Sequence, residues 1–272
     1  VFFTLYEQTY GSWVTFTDRL LTKDIVPALA VRDGTPWPWS ALSLLLAPLA
    51  FFVAARMSDR APASRAPRVL FLAVSALILV LLVRDCVALP QTAGSLTYLG
   101  AFFLVALAPL FSALWGWLGR RGADPSKPTK SAIGLLFGGL SFIPLALAAQ
   151  QVGATGAMAS VWWLVLAYLI LEIGEMCLSP VGLSAVTQLA VPRVVSLMMG
   201  TWFLATAFSE TLAALLGKLA AIDVPQGEAL DLAAAAPKYA HLFWLLTWIG
   251  IGCAVAAFLA APLLRRMMHG VK

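Results

Sequence analysis

The sequence has few charged residues and very little histidine or cysteine. Charged residues make up 11% of the 272 positions, and there are 2 histidines and 3 cysteines. Because a soluble domain is about 25% charged, this chain cannot cover its apolar surface as an ordinary soluble enzyme or a disordered segment would. Cys86, Cys177 and Cys253 are widely spaced in apolar stretches, which argues against a disulfide framework and indicates small hydrophobic residues. With so few histidines we expect no metal site.

Long apolar runs dominate what is present, and hydrophobic residues reach 61% of the chain. Since about 20 apolar residues cross a bilayer, we predict an all-α integral membrane protein. The predicted stretches are about 1–16, 39–55, 69–89, 98–118, 132–149, 161–189, 194–219 and 241–264. The chain begins without Met inside the first stretch, which predicts that it is the later part of a longer polypeptide.

Positive charge is concentrated in alternate loops and in the tail. The 18 Lys and Arg residues outnumber the 13 Asp and Glu residues, giving a formal net charge of +5. The basic residues of these loops and of the tail are Arg56, Arg60, Arg65, Arg68, Arg120, Arg121, Lys127, Lys130, Arg265, Arg266 and Lys272. Cationic loops accumulate on the cytoplasmic side, so we predict a cytoplasmic C terminus in a bacterial inner membrane and no nucleic-acid partner.

Carboxylates within the apolar stretches are the candidate functional residues: Glu7, Glu172, Glu175 and Glu210. A charge at the centre of a membrane helix costs on the order of 2.5–3.5 kcal/mol on insertion scales, so such residues usually face a cavity or a partner. The alternative is a buried Glu that only hydrogen-bonds a neighbouring helix, and it has most weight for Glu172. We expect the acids to share an aqueous cavity.

Helical periodicity groups the acids with other polar residues. One predicted stripe consists of Glu172, Glu175 and Ser179, and another of Trp202, Thr206 and Glu210. Glu7 and Asp18 are eleven residues apart, or three turns, so we expect them to share one helix face. Pro180 predicts a bend next to Glu175. Asp18 and Arg19 are either a functional pair or a solvated helix end.

Several segments resemble the proton-dependent oligopeptide transporters (POT), a family of the major facilitator superfamily. EIGEMCLSPVGLS (172–184) and SLMMGTWFLATA (196–207) resemble that family's helices ten and eleven, and FTLYEQ (3–8) through TFTDR (15–19) resembles its helix seven. Residues 108–115, 125–135 and 139–142 resemble helices eight and nine. The resemblance covers about 1–19 and 98–272.

The resemblance implies the C-terminal six-helix half of a major facilitator superfamily fold, with an inserted two-helix transmembrane hairpin. Residues 1–38 would hold the first helix (family helix seven) and an outward loop, 39–90 the hairpin, and 91–272 the remaining five helices, family helices eight to twelve. The family's ExxERFxYYG signature is absent, so either the protein lacks the N-terminal six-helix half, or that half lies outside this sequence and is the expected partner. Gly100-Ala101 stands where the family usually has Asn-Pro.

The resemblance also implies a function, which is proton-coupled symport of di- and tripeptides by alternating access, with protons as the coupling ion and no other cofactor. Glu175 would face the amino end of the peptide and help couple protons, Glu7 would pair with a basic residue of the N-terminal half, and Trp202 would line a side-chain pocket. The implied substrate-binding residues are Glu175, Trp202, Glu7, Ser179 and Thr206. The implied coupling or gating residues are Glu7, Glu175, Asp18, Arg19 and Glu210.

Two other classes of function stay open. A non-transporting membrane scaffold or sensor derived from a transporter half would keep the same helices. An intramembrane enzyme is less favoured, because no cluster of His, Cys or Asp lies within the apolar stretches. We therefore expect a transporter and not an enzyme, with the lipid bilayer and small peptides as its partners.

Overall fold

The computed structural model describes residues 1–25, 42, 45–49, 65–88, 91–218 and 231–268. Helices dominate these residues, and the predicted all-α class is confirmed. The principal helices are α1 Phe2–Tyr6, α2 Ser12–Leu20, α3 Arg65–Ala88, α4 Tyr98–Arg120, α5 Lys127–Leu140, α6 Phe142–Thr155, α7 Trp162–Leu189, α8 Val195–Gly217 and α9 Leu232–Met267.

Five segments are long and apolar enough to cross a membrane: Ser95–Arg120, Lys127–Thr155, Trp162–Leu189, Val195–Gly217 and Leu232–Met267. They coincide with the last five predicted stretches, which confirms the prediction of a helical membrane protein. The last helix begins nine residues earlier than predicted. Asp231 caps it, because its Oδ1 accepts hydrogen bonds from the backbone N–H groups of Ala233 and Ala234.

The chain forms two compact units, Val1–Thr22 with Thr92–Lys272, and Lys23–Gln91. The second unit contains the predicted insertion 39–90, and α3 covers most of the predicted stretch 69–89. Most of the predicted partner stretch, 39–55, lies outside the described residues. The transmembrane hairpin therefore stays a prediction.

The first apolar stretch is broken, so the predicted continuous helix over 1–16 is wrong. α1 ends at Tyr6, a 3-10 turn covers Glu7–Thr9, and α2 begins at Ser12. Gly11 between them has φ −110° and ψ −97°, outside the helical region. The three-turn spacing of Glu7 and Asp18 consequently does not place them on one face. Pro180 lies inside α7, which is continuous through it, and the expected bend there stays a prediction.

Pairs of glycines bring the backbones of α5, α7 and α9 into contact. A Cβ added to Gly250 of α9 would lie 2.4 Å from the Cα of Gly139 in α5. A Cβ added to Gly134 of α5 would lie 2.8 Å from the carbonyl oxygen of Gly174 in α7. Small residues at such crossings let apolar helices pack closely without a hydrophobic driving force from water.

Two aromatic residues of α2 determine how that short helix is oriented in the first unit. Trp13 packs edge-on against Tyr168 of α7, with ring centroids 5.0 Å apart, and against Phe142 of α6. Phe16 packs against Phe243 of α9, with centroids 5.1 Å apart. Both α2 side chains are fully buried, so the opposite side of α2, with Asp18 and Arg19, is more exposed.

We expect Gly250→Val to destabilise the bundle, because the new side chain would have to separate α9 from α5. Overpacking of this kind costs about 1–3 kcal/mol. The measurement is the thermal midpoint of the purified protein in detergent. Gly252→Val is the matched control, since a Cβ at Gly252 meets no atom within 4 Å. Equal midpoints for the two variants would contradict this account of the helix crossing.

Candidate functional site

A cleft of about 880 Å³ lies beside the interruption in the first apolar stretch. Its walls come from the α1–α2 turn, from α2, from the C-terminal end of α8 and from Tyr239 of α9. Two acids, Glu7 and Glu210, line it together with two cations, Arg19 and Lys218. The cleft therefore offers both signs of charge within an otherwise largely apolar set of helices.

The two acids of the cleft come from different helical segments and interact electrostatically. Glu7 lies in the 3-10 turn, Glu210 lies in α8, and they are close enough for electrostatic repulsion. Two carboxylates at short range favour binding of a cation or a proton, because either one relieves the repulsion.

Gln8 attaches the turn that carries Glu7 to α8. Its side chain is fully buried, its Nε2 donates to the carbonyl oxygen of Ala213 at 2.8 Å, and Ser12 Oγ donates to its Oε1 at 2.6 Å. Both ends of the amide are thus satisfied inside an apolar bundle, as a buried polar group requires. Gln8 holds the turn with Glu7 against the helix with Glu210.

A second polar cluster forms where α1 meets α7. Glu172 is 0% exposed, and Tyr6 Oη donates to its Oε1 at 3.4 Å. Gly100 of α4 faces the same carboxylate, because a Cβ there would lie 3.1 Å from Glu172 Oε1. The absence of a side chain at Gly100 leaves the space that the Glu172 carboxylate occupies.

Glu175 belongs to the same cluster, one turn further along α7. Ser179 Oγ lies 3.5 Å from Glu175 Oε1 and can donate to it. Tyr10 lies within electrostatic range of Glu7, Glu172 and Glu175. Tyr10 also lines the cleft that Glu7 lines.

The structure places the predicted site residues in three groups. Glu7, Arg19 and Glu210 line the cleft, whereas Glu175 and Ser179 lie in the α7 cluster. Trp202 forms a third group with Phe3, at a centroid distance of 5.7 Å, and with Gly182, where an added Cβ would strike its ring.

Two predicted residues lie apart from the cleft lining. Thr206 Oγ1 donates to the carbonyl oxygen of Trp202, so its hydroxyl bonds its own helix. Asp18 is exposed and is not among the residues that line the cleft. Their roles in substrate binding and gating stay predictions.

The predicted site lacked Tyr6, Gln8 and Gly100 among the polar contacts, and Tyr10 and Lys218 among the residues that line the cleft. Gln8 carried a signal, since an amide within an apolar stretch needs partners just as an acid does. Tyr6 and Gly100 matter only through contacts between helices that are distant in sequence. Glu172 was recognised as an intramembrane acid, but its partners could not be read from its own helix.

Comparisons with known proteins identify the family. The sequence is 30% identical over 174 residues to dipeptide and tripeptide permease B of Aliivibrio fischeri (strain MJ11), covering 64% of this chain and 34% of the permease. The structure matches a crystal structure of peptide transporter POT in complex with sulfate, with TM-score 0.56, 31% identity and coverage of 68% of this chain and 34% of the other.

A second solved structure is that of a POT family transporter in complex with thioalcohol conjugated peptide. The match has TM-score 0.52 and 29% identity and covers 64% of this chain and 32% of the other. The chain thus spans about a third of the length of these relatives. A sequence model of the POT family matches residues 91–227, half of the chain. The chain belongs to the POT family.

Proposed function

We propose that this chain is part of a proton-coupled symporter that carries di- and tripeptides across the membrane by alternating access. The observation that carries the proposal is the grouping of acids around the interrupted first apolar stretch in a member of the POT family. The related permease is named for dipeptides and tripeptides, and a related transporter is described in complex with a conjugated peptide. The expected partner is the N-terminal six-helix half of the same protein.

The charges of the cleft suit a short peptide, which has an ammonium group at one end and a carboxylate at the other. Glu7 and Glu210 would attract the ammonium group, and Arg19 and Lys218 would attract the carboxylate. The cleft volume of about 880 Å³ falls in the usual range of roughly 300–1,000 Å³ for small-molecule sites. In this proposal Trp202, over Gly182, would contact a peptide side chain.

Proton coupling follows from the cost of keeping charge among apolar helices. An acid there is stabilised either by a proton or by a cation such as the peptide ammonium group. If the protein changes conformation only when both the proton and the peptide ammonium group have neutralised these acids, a peptide cannot be carried independently of the proton. We assign the central coupling role to Glu175, together with Glu7.

The interruption between Tyr6 and Ser12 supports alternating access. Helices that are broken near ionisable groups are a recurring feature of secondary transporters, because they provide the site and the point of movement together. α4 and α8 leave many large apolar side chains exposed, including Val105, Leu110, Phe203 and Phe208. Lipid and the N-terminal half are the surfaces that we expect to cover them.

We expect Glu175→Gln in the full-length protein to abolish uptake of labelled dialanine driven by an inward proton gradient. Exchange of labelled for unlabelled peptide across proteoliposomes should fall less than driven uptake, because Glu7 and Glu210 still attract the ammonium group and exchange needs no net proton transfer. The expected loss of driven uptake is at least about tenfold, equivalent to ~1.4 kcal/mol. Both rates are measured on the same preparation.

Asp231→Asn is the matched control for that experiment. It also removes one carboxylate, but Asn caps a helix as well as Asp does, so we expect unchanged transport. Undiminished gradient-driven uptake by Glu175→Gln would refute the role of Glu175. Failure of the wild-type protein to take up or exchange peptide would favour the scaffold or sensor alternative.

We also expect the ammonium group of the peptide to be required for binding. N-acetyl-dialanine keeps the side chains and the carboxylate but cannot pair with an acid, so it should compete with labelled dialanine at least about tenfold more weakly than unlabelled dialanine does. The measurement is inhibition of exchange over a range of competitor concentrations. Equal inhibition by the two compounds would contradict recognition of the amino end by carboxylates.

A further inference from the structure

The carboxyl group of Glu172 is fully buried, but a hydrogen bond satisfies only one of its two oxygens. Its side chain is 0% exposed, and Tyr6 Oη donates to Oε1. The other oxygen, Oε2, is buried and has no hydrogen-bond partner among the described residues. An ionised carboxylate with an unpaired buried oxygen is costly, so this oxygen points to a ligand that brings a donor.

A group that can satisfy this oxygen is the carboxyl group of Glu175. The two residues are three apart on the continuous α7 and so are neighbours on one helix face, and Glu175 also has a buried Oε2 without a partner. Two ionised carboxylates have no donor between them, whereas one proton turns one group into a donor and leaves the other as an acceptor. A single proton therefore satisfies both orphaned oxygens.

Among the described residues, no positively charged side chain is found that would neutralise the two acids in place of that proton. The titratable groups that act on the pair are Tyr6, Tyr10 and Tyr168. Elsewhere on the helices packed against α7, the charged residues are Arg120 of α4, Lys127 and Lys130 of α5, and Glu210 of α8. Of these, Lys130 forms an ion pair with Asp124 and interacts electrostatically with Cys177. Glu210 interacts electrostatically with Glu7.

Gly100 makes this arrangement possible from the side of α4. A Cβ at position 100 would lie 3.1 Å from Glu172 Oε1 and 3.4 Å from the ring of Tyr168. The Glu172 carboxylate is thus confined between α4 and α1. Confinement of this kind keeps two like-charged groups together instead of allowing one to rotate away.

We propose that Glu172 and Glu175 bind one shared proton and act as a single coupling unit, in which Glu172 is a further proton-binding residue of the transporter. The inference rests on the proposed function for its role in transport. The shared proton leaves one negative charge on the pair, and the peptide ammonium group would pair with that charge at Glu175, so that proton and peptide are bound and carried together. Proton release would then pass through the pair.

The direct test is infrared spectroscopy of the full-length protein in liposomes at neutral pH. The band of protonated carboxyl groups is measured in wild type and in the Glu172→Gln/Glu175→Gln double variant, with exchange into D₂O to identify it. The part of the band that is present in wild type and absent from the double variant should be lost completely in each single variant. The reason is that the Gln amide donates to the remaining carboxylate and removes the neighbouring negative charge.

Asp124→Asn is the spectroscopic control, because the Asp124 carboxylate is paired with Lys130 and should not contribute to the band. Three results would overturn the proposal. An absent band means that both acids are ionised, loss of half the band in each single variant means two separate protons, and loss in only one variant means an unshared proton.

Transport measurements on the same variants test the role of the pair. Glu172→Gln should keep peptide exchange but lose gradient-driven uptake at least about tenfold, whereas Asp231→Asn, which removes a carboxylate at the start of α9, should keep both. A purely structural Glu172 would leave driven uptake intact in Glu172→Gln. If the wild-type protein carries no peptide, the proposed function fails, while the infrared band still decides whether the proton is shared.

Discussion

A carboxylate buried among apolar helices must receive a donor, a proton or water, and this requirement organises the structure around α7. Glu172 and Glu175 are charged residues on a helix that is otherwise apolar through most of its length. Tyr6, Ser179 and Tyr10 approach them, and Gly100 leaves them space. These contacts determine how α1 and α4 meet α7 at this level, so stability and the proposed chemistry depend on the same groups.

The interruption of the first apolar stretch is the second organising feature. Trp13 and Phe16 anchor α2 among α6, α7 and α9, while Gln8 holds the preceding turn against α8. The turn therefore places Glu7 on the cleft, and Tyr10 next to it is within electrostatic range of both Glu7 and the α7 acids. A straight helix through these residues would not place Glu7 on the cleft and Tyr10 near the α7 acids at the same time.

Sequence reasoning predicted the parts of the fold that hydropathy controls. The last five apolar stretches became spanning-length helices because an isolated apolar segment in a bilayer must satisfy its own backbone. The prediction that Glu175 and Ser179 share a helix face is correct because α7 is continuous. The same prediction for Glu7 and Asp18 is wrong because Gly11 interrupts the helix. The contacts of Glu172 with Tyr6 and Gly100 join distant segments, and no local pattern indicates them.

The central claim is that peptide movement carries protons, and the pH inside proteoliposomes tests it most directly. The full-length protein is reconstituted with a trapped pH-sensitive dye, and dialanine is added outside with no imposed pH gradient and with the membrane potential clamped. The account predicts acidification of the interior that depends on dialanine. Entry of labelled dialanine with no change of internal pH would contradict it.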